Sequence, residues 1–160
     1  MSKIAIYAGS FDPVTNGHLD IVQRALKIFD KVIIAVGENK EKKYLFSVQE
    51  RAEMIKECTK KFNVEVEYFS GLLVDFARKK KANALVRGLR AVSDFDFEFQ
   101  TALMNRKLCP EIETVCIMTR GMYSYLSASI VREVASLNGN LSDMVPDSVA
   151  QKLRDKFHKT

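Results

Sequence analysis

Short apolar segments alternate with amphipathic segments along the whole chain. Five of the apolar segments have the length of strands, and they span residues 3–8, 31–37, 64–69, 84–87 and 114–118. Between and after them, apolar residues recur at helical spacing, as Leu19, Val22, Leu26 and Phe29 do in the first such segment. The predicted helices span residues 17–29, 47–62, 72–80, 93–108, 127–137 and 146–157. Strands and helices therefore follow one another from the first strand to the last helix.

This alternation predicts an α/β fold, with a doubly wound, five-stranded parallel sheet, helices on both faces and a C-terminal helix. The second strand, 31–37, is apolar throughout, as expected of a buried parallel strand. In the third strand, Val64 and Val66 alternate with Glu65 and Glu67, which indicates one solvent-exposed face and a position at the edge of the sheet. We therefore predict the Rossmann-like strand order 3-2-1-4-5 in a single domain over all 160 residues.

Composition narrows the partners only slightly. The 25 lysines and arginines outnumber the 20 acidic residues, and the net charge of +5 favours anionic partners such as phosphorylated small molecules or nucleic acid. Cys58, Cys109 and Cys116 form no CxxC pair, so neither a zinc site nor a redox motif is indicated. No apolar segment has the length of a membrane span and no signal peptide opens the chain, so we predict a cytoplasmic protein without a membrane partner.

Two unusual polar segments follow the first and fourth strands. They are Gly9–His18 and Arg87–Arg90, and the predicted strand order brings them together where the winding of the sheet reverses. His18 falls in the first turn of a helix, where free N–H groups and the helix dipole attract phosphate and disfavour further positive charge. The seven glycines do not form a GxGxxG or a Walker A sequence, so ordinary dinucleotide and P-loop sites are not supported.

The residues of the first polar segment also carry a family resemblance. Gly9-Ser10-Phe11-Asp12-Pro13 with Thr15-Asn16-Gly17-His18 resembles the first signature of the nucleotidyltransferase superfamily. The Thr15-x-Gly17-His18 form is similar to that of the bacterial phosphopantetheine adenylyltransferases, and the likeness covers about residues 4–145. Further matching motifs are Arg87–Val92, Asp94-Phe95, Met104-Asn105-Arg106 and Ser127-x-Ser129. Two positions depart from the family pattern, because Ser10 replaces the commoner threonine and Ala128 replaces a serine.

The resemblance implies an activity and its ligands. Members of this family transfer the adenylyl group of ATP reversibly to 4′-phosphopantetheine, giving dephospho-coenzyme A and pyrophosphate in coenzyme A biosynthesis. It implies that no covalent enzyme intermediate forms, that Mg²⁺ accompanies ATP, and that dephospho-coenzyme A and coenzyme A bind as product or feedback ligand. It also implies a homohexamer and no nucleic-acid partner. The sequence shows no carboxylate cluster for a metal site built from protein alone.

Residue roles follow from the same resemblance. His18 corresponds to the catalytic residue that stabilises the transition state. The positions that correspond to ATP-binding residues are Ser10, Phe11, His18, Gly88, Leu89, Arg90, Glu98, Tyr123, Ser124, Tyr125, Leu126, Ser127, Ala128 and Ser129. The positions that correspond to acceptor-binding residues are Ser10, Lys42, Leu73 and Arg87. Lys40 and Lys43 lie close enough to Lys42 to be alternatives, and Leu73 is equally well explained as a core residue.

Two other functions stay open at this point. One is a sister enzyme with another phosphorylated acceptor, such as nicotinamide mononucleotide or phosphocholine; Thr15 in place of a first histidine and the short chain argue against it. The other is a basic nucleotide- or RNA-binding module without activity. Phe95, Phe97 and Phe99 fall in a helical pattern rather than on a strand platform, which argues weakly against that module.

Overall fold

The computed structural model describes residues 2–39 and 41–158, apart from the side chains at positions 92 and 93. The strands are β1 (Ile4–Gly9), β2 (Lys31–Gly37), β3 (Val64–Phe69), β4 (Ala84–Leu89) and β5 (Glu113–Met118). The helices are α1 (Asn16–Ala25), α2 (Val48–Cys58), α3 (Leu73–Lys79), α4 (Val92–Leu108), α5 (Ala128–Ser136) and α6 (Asp147–Phe157). A short 3-10 helix covers Gly121–Tyr123 between β5 and α5.

The five strands form one parallel sheet in the order β3-β2-β1-β4-β5. This confirms the predicted fold class and strand order. On the β3 edge, Glu65 and Glu67 pair with Lys31 and Lys80, while Val64 and Val66 pack against the core. The alternation that predicted an edge strand therefore separates an ion-paired face from a buried one.

Helices cover both faces of the sheet, and one apolar cluster lies on each side. The larger cluster joins the sheet to α1, α2, α5 and α6, with Ile21, Ile55 and Val131 among its fully buried members. The smaller cluster lies under α3, where Val74 and Ala77 pack with Cys109 and Ile112. The longest helix, α4, crosses this second side but leaves most of its large apolar side chains exposed.

The predicted boundaries were wrong by more than one residue at three element ends. The first helix ends at Ala25 rather than at residue 29, because Ile28 and Phe29 donate their N–H groups back to the Ala25 carbonyl in a turn. The second helix ends at Cys58 rather than at residue 62, because Thr59 turns out of the helix and returns its hydroxyl to the Ile55 carbonyl.

The third boundary error is in β4. Residues 88 and 89 were expected to follow the strand, but Gly88 and Leu89 continue it after Arg87, since all three stay in register with β5. These three residues therefore approach the site from the strand itself, on backbone that the sheet holds in place.

Candidate active site

An open cleft lies at the carboxyl ends of β1 and β4, where the winding of the sheet reverses. We call it the switch-point cleft. It is lined by Tyr7, Ala8, Gly9, Phe11, Thr15, Gly17, His18, Ile21, Arg87, Gly88, Arg90, Glu98, Thr119, Tyr123 and Leu126. Eight of the residues predicted from the family resemblance are thus brought together: Phe11, His18, Arg87, Gly88, Arg90, Glu98, Tyr123 and Leu126.

His18 is fixed by the cap of α1. Thr15 is the N-cap, and its hydroxyl oxygen accepts a hydrogen bond from the His18 main-chain N–H at 3.3 Å. In return, the Thr15 main-chain N–H donates to Nδ1 of the imidazole at 3.0 Å. Because Nδ1 accepts a hydrogen bond, a neutral His18 carries its proton on Nε2. The capping box therefore sets the tautomer as well as the position of the ring.

The ring is also held in its neutral form. Burial, and to a smaller extent the positive charge of Arg90, lowers the pKa of His18 from 6.5 to about 4. At neutral pH, His18 is therefore an uncharged hydrogen-bond donor rather than a cation or a proton acceptor. Such a group can stabilise charge that develops on a phosphate oxygen without itself changing protonation state.

The loop between β1 and α1 bends sharply to place an aromatic ring beside His18. Phe11 has a φ of 48°, in the left-handed region that residues other than glycine rarely adopt. Its ring lies 5.0 Å from the His18 ring and 5.4 Å from that of Tyr7, both edge to face. A Cβ atom at Gly9 would lie 3.2 Å from the Phe11 ring, so glycine leaves room for this packing.

Arg87 enters the cleft already paired. Its Nε and Nη2 donate to the two carboxylate oxygens of Glu98 at 2.7 and 2.8 Å, and Nη1 donates to the Ala8 carbonyl at 3.0 Å. Glu98 is buried, although it belongs to the largely exposed α4. The pair therefore joins β4, β1 and α4 at the floor of the cleft, and its charges largely cancel.

Arg90 is held by a second carboxylate. Its Nε and Nη2 donate to Asp94 at 3.1 and 3.3 Å, and Nη1 donates to the Leu126 carbonyl at 3.2 Å. Burial acts to raise the pKa of Asp94, but the hydrogen bonds from Arg90 outweigh it and keep this pKa below its ordinary value. Arg90 thus links β4 to the segment that leads into α5, with its guanidinium at the cleft.

The start of α5 contributes a second helix N-terminus. Ser127 is its N-cap, and the hydroxyl oxygen accepts from the Ile130 N–H at 3.2 Å. Arg132, one turn further on, donates to the Asp12 carbonyl and lies 3.4 Å from the Ser129 hydroxyl. Arg132 therefore ties α5 to the loop that carries Phe11.

Several predicted residues lie outside the lining of the switch-point cleft, although the structure describes all of them. On the ATP side they are Ser10, Leu89, Ser124, Tyr125, Ser127, Ala128 and Ser129, and on the acceptor side they are Lys42 and Leu73. Lys42 is exposed in the loop between β2 and α2, beside a shallow depression of its own. Leu73 opens α3 and packs against the smaller apolar cluster. Lys40 lies outside the described residues, so its alternative role stays a prediction, as do these.

Sequence reasoning missed four residues of the cleft. Tyr7 and Ala8 were treated as part of an apolar strand, and Ile21 and Thr119 were not considered. Burial raises the pKa of Tyr7, so its hydroxyl stays protonated. A tyrosine near the carboxyl end of a central strand was the available signal, because that end of the sheet is where ligands bind.

Metal-binding groups do not cluster in the described part of the chain. Within residues 2–39 and 41–158, no three His, Cys, Asp or Glu side chains come close enough to hold a metal ion together. In the same residues, no helix combines the length and apolar character needed to cross a membrane. The arrangement instead offers hydrogen-bond donors, two helix N-termini and two arginines that carboxylates hold in place, and such groups suit phosphate.

Comparison with known protein sequences agrees with this geometry. The model of the cytidylyltransferase-like family matches residues 6–134. A protein of Caldanaerobacter subterraneus subsp. tengcongensis, named phosphopantetheine adenylyltransferase, is 55% identical over 159 residues, which are 99% of each chain. A Clostridium botulinum protein of the same name is 55% identical over 157 residues, covering 98% of this chain and 96% of its own.

Solved structures extend the likeness in fold. A putative nicotinate-nucleotide adenylyltransferase from Vibrio parahaemolyticus superposes with a TM-score of 0.74 at 17% identity, covering 100% of this chain and 98% of its own. A bifunctional NMN adenylyltransferase/ADP ribose pyrophosphatase from Francisella tularensis gives 0.71 at 20% identity, over 97% of this chain and 50% of its own. At such identities the likeness concerns the fold alone.

Proposed function

The chain belongs to the phosphopantetheine adenylyltransferases of the cytidylyltransferase-like family, and from this premise we propose how its residues perform the reaction. The enzyme transfers the adenylyl group of ATP to 4′-phosphopantetheine and releases dephospho-coenzyme A and pyrophosphate. The observation that carries the proposal is the state of His18, a neutral imidazole with its proton on Nε2, at the N-terminus of α1 in the switch-point cleft.

The reaction needs positioning more than a nucleophilic side chain. An oxygen of the acceptor's phosphate forms a bond to the α-phosphorus of ATP, while the bond from that phosphorus to the bridging oxygen breaks and pyrophosphate leaves. Because the acceptor phosphate is itself the nucleophile, no enzyme nucleophile is required. His18 donates from Nε2 to a non-bridging oxygen of the α-phosphate and stabilises its charge in the transition state.

The ATP side of the site runs from β4 to the start of α5. Arg90 stands at the cleft between Asp94 and the Leu126 carbonyl, which fixes its guanidinium for a phosphate or ribose contact. The main-chain N–H groups at the start of α5 and the hydroxyls of Ser127 and Ser129 supply further donors. The Ser124 hydroxyl already donates to the Gly121 carbonyl at 2.8 Å, so toward the nucleotide it is left as an acceptor. Supporting this arrangement, the predicted ATP-side residues Phe11, Gly88, Glu98 and Tyr123 line the same cleft.

We assign Ser10, Lys42, Leu73 and Arg87 to the acceptor side. Lys42 is exposed and free to move as a point charge toward a phosphate, whereas Arg87 is committed to Glu98 and the Ala8 carbonyl. Arg87 therefore serves the acceptor mainly by shaping the floor of the cleft, because a direct contact with the acceptor phosphate competes with its pairing to Glu98.

Magnesium enters as part of the substrate. Mg²⁺ keeps most of its waters and binds readily through nucleotide phosphates, so MgATP brings its own ligands. The donor-rich cleft then meets the remaining phosphate oxygens. We further place the activity in the cytosol, where the free thiols of Cys58, Cys109 and Cys116 stay reduced.

Self-association is the last part of the proposal. α4 exposes six large apolar side chains, each more than two-fifths accessible: Phe95, Phe97, Phe99, Leu103, Met104 and Leu108. A monomer rarely exposes so many on one element. We propose that further copies of the chain cover this helix in a homohexamer, as the family resemblance implies.

A direct assay tests the activity. The protein is mixed with ATP, Mg²⁺ and 4′-phosphopantetheine, and pyrophosphate and dephospho-coenzyme A are measured together. We expect both products in equal amounts and neither when the acceptor is omitted. ATP binding without pyrophosphate release would instead identify a non-catalytic nucleotide-binding module.

A further inference from the structure

Two loops border the site from neighbouring strands. The loop after β1 carries Ser10, and the loop after β2 carries Lys42. A buried arginine of α2 joins them, because Nη1 of Arg51 donates to the Ser10 carbonyl at 2.6 Å and to the Gly37 carbonyl at 3.0 Å. Arg51 is 1% exposed and does not line the switch-point cleft. It borders the depression that Lys42 also borders, but its guanidinium donates to the main chain of the two loops.

The surroundings of Arg51 are unusual for a buried cation. Nε donates to the Phe46 carbonyl at 3.2 Å, and the guanidinium lies 4.0 Å from the centre of the Tyr44 ring. No carboxylate oxygen lies within 4.0 Å of the guanidinium in the described part of the chain. Burying a charge against main-chain carbonyls is costly, and an apolar residue would fill the space more cheaply. What the arginine adds is a fixed three-way connection between main-chain atoms.

Asp12 makes the reciprocal connection. Its carboxylate oxygens accept from the Leu45 N–H at 2.8 Å and from the Phe46 N–H at 3.0 Å. Asp12 belongs to the first loop and holds the second, whereas Arg51 follows the second loop and holds the first. The hydrogen bonds of Asp12 and Arg51 therefore tie the two loops together in both directions. They reach the second loop at Leu45, three residues beyond Lys42.

We propose that Arg51 is a positioning residue for the acceptor, acting through the loop that carries Lys42. It sets the distance between this loop and the Ser10 segment, so that an acceptor phosphate meets the lysine while its reacting oxygen faces ATP. Misplacing a binding group by about 1 Å costs up to about 10²-fold in rate. The inference rests on the proposed function, because it assigns Lys42 to the acceptor.

A double-mutant cycle tests this role. Arg51→Lys keeps the charge but loses the planar fork, and Arg78→Lys is the matched control on an exposed arginine paired with Glu111. We expect Arg51→Lys to raise KM for 4′-phosphopantetheine by about tenfold or more, and to leave KM for ATP within about threefold. In a Lys42→Ala background, the same substitution should change the acceptor KM by less than about twofold, because coupled residues are not additive.

Stability measurements separate a positioning role of Arg51 from a purely structural one. Thermal unfolding is measured for every variant, and a lowered midpoint with equal rises in both KM values would contradict the proposal. Independent, additive effects of Arg51→Lys and Lys42→Ala would also overturn it, as would a Lys42→Ala variant with an unchanged acceptor KM. If Arg51→Lys does not fold, Asp12→Asn enters the same cycle with the same expectations. The turnover of the unmodified protein is measured before any variant. Its absence would contradict the proposed function itself.

Discussion

At the scale of single residues, the proposed mechanism centres on His18. Its tautomer is set by the Thr15 main-chain N–H, which leaves the ring proton on Nε2, the donor that the proposal assigns to a phosphate oxygen. Replacing it with alanine removes this donor while Arg90 and both helix N-termini remain. We expect His18→Ala to lower kcat by about 10²–10³-fold, with a much smaller change in the Kd of ATP. A kcat within about threefold of the unmodified protein would remove His18 from the mechanism.

The titration of His18 gives a second prediction at this scale. The pKa of this ring is about 4 in the folded chain, whereas in an unfolded chain it is 6.5. Between these values the unfolded state binds more protons, so the folded state loses stability as the pH falls from about 6.5 to about 4. His18→Gln removes this term. We therefore expect the melting temperature of the unmodified protein to fall, relative to that of His18→Gln, over this pH range.

Nuclear magnetic resonance can follow the same group directly. The imidazole carbon signals of His18, assigned by their absence in His18→Gln, should move with a midpoint near pH 4. A midpoint above 6 would mean that the ring is solvated and charged more easily than the structure implies, and would weaken its role as a neutral donor.

Site residues in short motifs could be predicted from the sequence, whereas contacts between residues far apart in the chain could not. His18, Gly88 and Arg90 lie in short motifs whose place at strand ends follows from the pattern of elements. The pairing of Arg87 with Glu98 depends on how α4 crosses β4, and the contact of Arg51 with the Ser10 carbonyl joins residues 41 positions apart. Such contacts are set by tertiary packing, which local spacing does not encode.

At the scale of elements, the pattern predicted each strand and helix, and the errors lay at their ends. β2 and β3 were predicted to the residue, because polar residues border both apolar segments. The ends of α1 and α2 were missed because single turns such as the one at Thr59 replace the helix while the apolar spacing continues. A capping box opens α2, since Ser47 and Glu50 exchange hydrogen bonds there.

Two serine caps allow a matched prediction. Ser127 caps α5 on the proposed ATP side and Ser47 caps α2, and replacing either with alanine should lower the free energy of unfolding by about 1 kcal/mol. Only Ser127→Ala should also raise KM for ATP, because α5 begins on the ATP side of the cleft. Urea denaturation and steady-state kinetics measure the two effects. Equal KM values for ATP in both variants would show that the α5 N-terminus does not contact the nucleotide.

At the scale of the whole molecule, the two sides of the sheet differ. One side is closed by α1, α2, α5 and α6, while the other ends in the exposed apolar residues of α4. The apolar residues of this helix are evident in the sequence. Which of them face the sheet could not be read from it, since they are spread around the helix rather than along one stripe.

Light scattering tests whether other copies cover α4. We expect an oligomer at micromolar concentration, and a shift to smaller species for Phe97→Asp, whose side chain is 66% exposed in the single chain. Leu137→Asp, at a residue 77% exposed on another part of the surface, is the control and should leave the mass unchanged. A monomeric unmodified protein at this concentration would reject the self-association proposed for α4.

Acceptor choice tests the central claim most directly. The measurement is kcat/KM with ATP for 4′-phosphopantetheine, pantetheine and nicotinamide mononucleotide, under the same Mg²⁺ concentration. Because the acceptor phosphate supplies the attacking oxygen, pantetheine should show no measurable turnover, which means rejection by about 10⁴-fold or more. Nicotinamide mononucleotide has the phosphate but not the pantetheine arm, and we expect little turnover of it. Efficient reaction of 4′-phosphopantetheine alone is the predicted result. Comparable kcat/KM for 4′-phosphopantetheine and nicotinamide mononucleotide would contradict the assignment of the acceptor.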